Sequence, residues 1–280
     1  LAPFQARHLF GEYVPARELG LDWGADCQVY LPPCLSAYVG ADITCGLLAC
    51  DILHASSPAL LADVGTNGEM ALLSDGAIYC CATAAGPAFE GVGISCGSAA
   101  VTGAIDAVTV ENNALRCHVI GGGTARSLCG SGLLDAVAAL RRLELVEDSG
   151  YMEDDSLPLT GSVSLLRRDI RSFQLAKAAV AAGIQVLSQR RGVPLEQVDG
   201  LYLAGGFGTY IDPGSAMAIG MLPPVLAGKV RPLGNTALAG AAALALDGRL
   251  WPKVEDTARG CDYIELYGQP DFTREFTGNM

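Results

Sequence analysis

"ADVGTNGEM", residues 62 to 70, decides the reading of this chain. Asp63 closes an apolar run, Gly65 and Gly68 bracket Thr66 and Asn67, and a second apolar run follows at once. A strand, a tight turn and a second strand satisfy that pattern. The two glycines let the backbone turn sharply, so successive N–H groups can point at one cluster of oxygens. Thr66 adds a hydroxyl, and Asp63 at the strand end can hold Mg²⁺ through water. The same residues also make an ordinary hairpin, because Asn67-Gly68 is a common turn pair. On this stretch alone both readings stay open.

Composition limits how a phosphate could be held. The 280 residues include 30 Asp and Glu against 18 Lys and Arg, a formal net charge of −12. That excess leaves no electrostatic footprint for nucleic acid. Backbone amides or a metal must therefore hold any phosphate. Half the chain is apolar and 35 residues are glycine, which suits packed α/β layers. No apolar run reaches the ~18 residues of a membrane helix, so no membrane association is expected. The ten cysteines form no CxxC pair and none stands near a histidine at zinc-site spacing. They read as free thiols of a reducing cytoplasm. His8, His54 and His118 lie in no motif. Leu1 in place of a methionine reads as a fragment, so the absence of a signal peptide is uninformative.

Around the opening stretch the chain alternates strands and helices. A lead-in with a short helix covers 1–26, a strand broken by Pro32 and Pro33 covers 27–40, and helical spacing covers 41–53. Strands are expected at 60–65, 69–74 and 75–83, then a Gly- and Ala-rich loop and helix at 84–103. A polar ribbon at 105–120 leads to a helix at 131–143 with Ser131 as N-cap. An acidic loop follows at 144–155. The longest helix is expected at 172–191, ended by Gly192. A buried strand at 198–206 runs into a glycine pair, and a strand near 229–232 precedes a helix at 235–246. The end, from Cys261, reads as an acidic strand-like tail. The helices at 41–53 and 235–246 are both rich in small residues, and such helices could meet closely across a pseudo-two-fold axis.

"YLAGGFGTYIDP" (202–213) is a buried strand that ends in Gly205-Gly206 and turns into a helix. No side chain then separates backbone from ligand, a geometry that accepts a flat or phosphorylated group at a helix start. A tight strand-to-helix connection would use the same residues. The order DxGT, GG and Ala/Gly helix is more specific than any one part. It resembles the actin, sugar-kinase and heat-shock-chaperone superfamily, in which two ribonuclease-H-like lobes clamp ATP. The resemblance implies an α/β fold, a mixed sheet flanked by helices. It places Asp63, Gly65, Thr66, Asn67 and Gly68 at the phosphates, and Gly205, Gly206, Phe207 and Gly208 at the adenosine. Gln174 and Lys177 fall where the superfamily flanks adenine and ribose.

"AAGPAFEG" (84–91) and "CGSG" (129–132) narrow the resemblance to the C-terminal part of the reductive activators of corrinoid proteins. From the residues alone, the first could set backbone amides, Gly86 and the Glu90 carboxylate at a cleft mouth, or be a close-packed loop. The second could receive a phosphate or merely cap a helix. The family implies ATP and Mg²⁺ as cofactors, Asp63 on the metal, and a corrinoid (iron–sulfur) protein as partner; Asp63 and, from its place at the cleft mouth, Glu90 are the candidate catalytic residues. It also implies a [2Fe–2S] domain, whose cysteine pattern this chain lacks.

A complete clamp needs two DxGT hairpins, and this chain carries one. Residues 1–58 are therefore expected to be the closing edge of a first lobe with its connecting helix, and 59–280 the second lobe. Such a chain alone should bind ATP weakly and transfer no electrons; self-pairing as a homodimer stays open. Two other readings remain: a sugar or carboxylate kinase, with Glu90 or Asp42 as base, and a docking module with a vestigial nucleotide site.

Overall fold

The computed structural model describes residues 9–24, 26–50 and 52–280; His8 and most of the expected lead-in lie outside them. In chain order the elements are β1 (Glu12–Pro15), β2 (Gln28–Leu31), α1 (Ala41–Ala49), β3 (Ala59–Val64), β4 (Gly68–Ser74) and β5 (Ala77–Thr83). Next come β6 (Ala104–Glu111), β7 (Ala114–Val119), β8 (Ser127–Leu128), α2 (Gly130–Arg142), β9 (Ser156–Thr160), β10 (Val163–Leu166) and α3 (Arg167–Arg191). The chain closes with β11 (Gly200–Ala204), α4 (Gly205–Gly208), α5 (Pro213–Ala218), β12 (Val230–Gly234), α6 (Thr236–Leu246), α7 (Trp251–Arg259), β13 (Cys261–Tyr263) and α8 (Pro270–Gly278).

Six strands form the central mixed sheet in the order β12-β11-β3-β4-β5-β13. β3, β4 and β5 run antiparallel in succession, while β11 joins β3 and β12 joins β11 in parallel. β3 reads as an unbroken apolar run because helices cover both of its faces. Leu60 and Ala62 point into one core with Phe173, Val180 and Ile184, whereas Leu61 points into the other with Ile43 and Leu47.

The two small-residue helices do meet. A Cβ on Gly240 of α6 would lie 2.1 Å from the Cys45 carbonyl oxygen of α1, so glycine there sets the closeness of the crossing. The polar ribbon is the pair β6–β7, extended by β8 into a second sheet of three strands.

Several elements differ from expectation. α3 starts five residues early, because Asp169 accepts the Leu166 N–H at 2.9 Å and closes its first turn. Residues 84–103 hold only one short 3₁₀ turn, Pro87–Glu90. β9–β10, α7 and α8 are additions to the expected elements, and only Cys261–Tyr263 of the tail is strand. Ser131 does not cap α2: Cys129 is the N-cap residue, and the Ser131 hydroxyl donates to the Asp106 carbonyl at 2.8 Å.

Candidate functional site

Strand register brings the two glycine motifs together. Ala204, the last residue of β11, lies beside Asp63 of β3. The chain then turns at Gly205 with φ +84°, where a Cβ would sit 2.4 Å from Asp63 Oδ1. Only glycine accepts both that dihedral and that approach. The crevice at the carboxyl ends of adjacent parallel strands is where open α/β sheets take ligands.

A cavity of ≈ 310 Å³ opens there, lined by Asp63, Val64, Gly65, Glu90, Gly205, Gly206 and Phe207, among others. Its remaining wall comes from Phe89, Ser98 to Ala100, Cys129 to Ser131, and Tyr210. Gly206 borders open space, with no atom within 4 Å of where its Cβ would be. Phe207 stacks on Phe89 at 4.4 Å between centroids, and Phe89 meets Phe173 edge-on, so the back wall continues into the core. Gly130 permits this, since a Cβ there would lie 1.9 Å from the Phe89 carbonyl oxygen.

Among the described residues, no Lys, Arg or His lines the cavity. Burial, and then the nearby Asp42 carboxylate, push the Asp63 carboxyl up to about 6. Glu69, its cross-strand partner, is pushed up to about 7 by burial, Asp42 and Asp63. Asp63 thus lines the cavity with no neutralising side chain in its wall, and the charges of Asp42 and Glu69 add to its own, which fits a cation as partner. Among the described residues, no group of three or more His, Cys, Asp and Glu could by itself enclose a metal ion. The fit is therefore to a hydrated cation beside Asp63, not to an all-protein cage. With no basic side chain in the wall, a phosphate there would depend on that cation and on backbone amides.

The remaining expected residues divide. Thr66 stands exposed at the rim, its hydroxyl donating to Glu90 Oε1 at 2.7 Å. The Gly65 amide is spent inside the turn, on the Asn67 carbonyl at 2.9 Å, and the Gly86 amide bonds the Thr66 carbonyl at 2.7 Å. Asn67 faces a different cavity with Tyr38, Tyr263 and Phe272. Gly68 is buried against Thr83 and Gly208 against Leu203, so both act in packing. Gln174 and Lys177 are not brought to this cavity. Gln174 donates to the Ser149 and Met280 carbonyls, and Lys177 to the Asn279 carbonyl at 2.7 Å, fastening the chain's last residues to α3.

Sequence reasoning passes over Glu69 and Tyr210, and reads Ser131 only as a helix cap or as part of a possible phosphate loop. Glu69 is within its reach, because a hairpin centred on Thr66 pairs residue 63 with residue 69. His118 pairs with Asp106, and His54 lies 2.6 Å from the Lys253 amine. The ten cysteines are free.

Known proteins share this architecture. Residues 57–280 match the family model described as "C-terminal domain of RACo the ASKHA domain", and residues 1–55 match "RACo middle region". The chain belongs to this family. It is 33% identical over 275 residues to "Corrinoid activation enzyme RamQ" of Eubacterium limosum, covering 88% of this chain and 46% of that protein. It is 30% identical over 256 residues to "[Co(II) methylated amine-specific corrinoid protein] reductase" of Methanosarcina barkeri, covering 83% and 47%. A solved "Reductive activator for corrinoid,iron-sulfur protein" superposes with a TM-score of 0.90 at 33% identity, over 99% of this chain and 48% of that one. The fold is thus the actin-type ASKHA fold, a class that implies nucleotide binding. The chain spans about half the length of the relatives it matches.

Proposed function

We propose that this chain is one jaw of an ATP clamp in a reductive activator, a protein that uses ATP to drive electron transfer to the Co(II) of a corrinoid protein. The observation that carries the reading is the meeting of Asp63 with Gly205 at the ends of β3 and β11. An uncompensated carboxylate there faces the bare backbone of Gly205 and Gly206. The names of the relatives, which concern corrinoid activation and Co(II) corrinoid reduction, support the rest.

When bound, Mg²⁺–ATP would supply the free energy for a closing movement. The chain's own residues bind and orient. Asp63 holds the hydrated cation, with Asp42 and Glu69 adding negative charge beside it. Gly205, Gly206 and Phe207 seat the nucleoside. Thr66 offers its hydroxyl to a phosphate oxygen, which must first displace Glu90 from it. Because Glu90 continues directly from Phe89, that exchange at the rim can move the Phe89–Phe207 stack.

No electron step is assigned to this chain, and the [2Fe–2S] donor is proposed to lie outside it. Residues 1–58 are read as the edge of a first lobe. In support, α6 leaves Leu238 65% and Leu246 88% exposed, an apolar side suited to a neighbouring lobe. Among the described residues no helix is long and apolar enough to cross a membrane; a cytoplasmic location is part of the proposal.

The test is Asp63→Asn in the full-length protein, with Co(II) loss from the corrinoid partner followed by visible spectroscopy. Loss of the ATP-dependent part of the rate is expected. An unchanged ATP-dependent rate would contradict the assignment.

A further inference from the structure

A cavity of ≈ 390 Å³ reaches the hairpin tip at Asn67 and shares no lining residue with the nucleotide cleft. Four of its lining residues are aromatic: Tyr38, Tyr263, Tyr267 and Phe272. Tyr38 precedes α1, Tyr263 ends β13, Tyr267 lies in the turn after it, and Phe272 stands in the first turn of α8. Tyr38 and Tyr263 lie nearly parallel, with 6.1 Å between centroids and 24° between planes. Tyr263 packs against one core and Phe272 against the other, so both rings are held in place. Tyr38 is 45% and Tyr267 91% exposed, which leaves ring area for an occupant to cover. Volume and an aromatic wall of this kind are those of a small-molecule site.

The charge of the wall has one sign. Glu265 lines it, and among the described residues no Lys, Arg or His does. Its Oε1 accepts the Tyr267 N–H at 2.9 Å, which fixes the carboxylate beside the rings. Burial, and then the Glu265 charge, hold the Tyr263 phenol above its ordinary range, so acid and ring are close neighbours. Arg190 does not neutralise this acid. Its guanidinium bonds the Glu265 backbone carbonyl and the Gln269 side chain, and pairs with Asp271. Among the described residues the Glu265 carboxylate has no ion-pair partner. The other polar side chains are spent: the Thr83 hydroxyl donates to the Gly68 carbonyl at 3.2 Å, and Asn67 bonds Glu69.

We propose that this cavity binds an alkylated ammonium cation, its charge against the rings of Tyr38, Tyr263 and Tyr267 and beside the Glu265 carboxylate. A cation within reach of an aromatic face is attracted by the ring quadrupole, more strongly where water is excluded. A primary ammonium carries three donors that must find acceptors in place of water. A wall of rings and apolar side chains is poor in acceptors, whereas alkyl groups remove that demand and pack against it. The inference stands apart from the nucleotide reading and does not depend on it.

Choline, ethanolamine and 3,3-dimethylbutan-1-ol separate the contributions: the second lacks the methyl groups and the third lacks the charge. Ligand-observed NMR titrations of the full-length protein, without nucleotide, should show choline binding at millimolar concentration and about tenfold tighter than either of the others. Glu265→Gln keeps an oxygen for the Tyr267 N–H but loses the charge, and Tyr267→Leu loses a ring at an exposed position. Each should weaken choline binding by about three- to tenfold, while Tyr267→Phe, which keeps the ring, should leave it nearly unchanged. Both positions are exposed, and thermal unfolding checks that the fold survives each change. Choline that binds no tighter than ethanolamine or the neutral alcohol, or that binds undiminished to both Glu265→Gln and Tyr267→Leu, overturns the proposal.

Discussion

Asp63 and Glu69 face each other across β3 and β4 with Asp42 close by, and no basic side chain offsets them. Their carboxyls lie at about 6 and about 7 in the fold, above the ordinary carboxylate range of the unfolded chain. The folded state therefore holds more protons between those limits. The stability these two groups contribute is full below about pH 4 and is lost as pH rises through 6 and 7. Asp63 alone accounts for on the order of 3 kcal/mol of that loss. Without nucleotide, thermal unfolding should show Tm falling between pH 5 and pH 7.5, with the slope reduced in Asp63→Asn and in Glu69→Gln. Equal slopes in wild type and Asp63→Asn would remove the pressure for a cation. Gly205→Ala should cost on the order of 1–3 kcal/mol, because the position has φ +84° and its Cβ would meet Asp63; urea unfolding measures it. At this scale the site was half legible. A strand-end acid and a glycine pair can be read from the order of residues, but Glu69 needed the hairpin register. The neighbours of Gln174 and Lys177 were not legible, because a helix position fixes a direction and not a neighbour, and here the chain's own last residues are the neighbour.

Among the elements, α1 and α6 give the sharpest test of the lobe. A methyl group on Gly240 would collide with backbone, the Cys45 carbonyl, which no side-chain rotation relieves. Gly240→Ala should therefore cost about 1–3 kcal/mol by denaturant unfolding, whereas Ala241→Ser on the exposed face should be nearly neutral. The central strands and the long helix were readable because burial on both sheet faces leaves unbroken apolar runs and α3 carries long apolar periodicity. α8 was not, since Gly268, Pro270 and the acids around it look like a loop. Its order comes from outside itself: Arg190 of α3 grips Asp271 with both forks at 2.7 and 2.8 Å. Pro270 at the first helical position is the sign that the sequence does carry. β9–β10 has alternation, with Leu157, Leu159, Val163 and Leu165 buried, but Pro158 within it obscures the strand.

For the whole molecule, the proposed jaw has a cleft shaped by glycine and charged by acid, and Mg²⁺–ATP is the ligand proposed to complete it. The acidic net charge of −12 already excluded a basic phosphate pocket, and the described cavity wall carries none. What composition could not show was that the hairpin amides are partly spent on the turn itself, which moves the burden of phosphate binding to the cation, Thr66 and α4. Gly206 offers the most direct test, because it lines the cleft and a Cβ added there has no protein atom within 4 Å. Titration calorimetry of Mg²⁺–ATP into the full-length protein should give a saturable heat for wild type. Gly206→Val, with its Tm unchanged, should give none. Equal affinity in the two proteins would contradict the claim that this cleft is where the nucleotide binds.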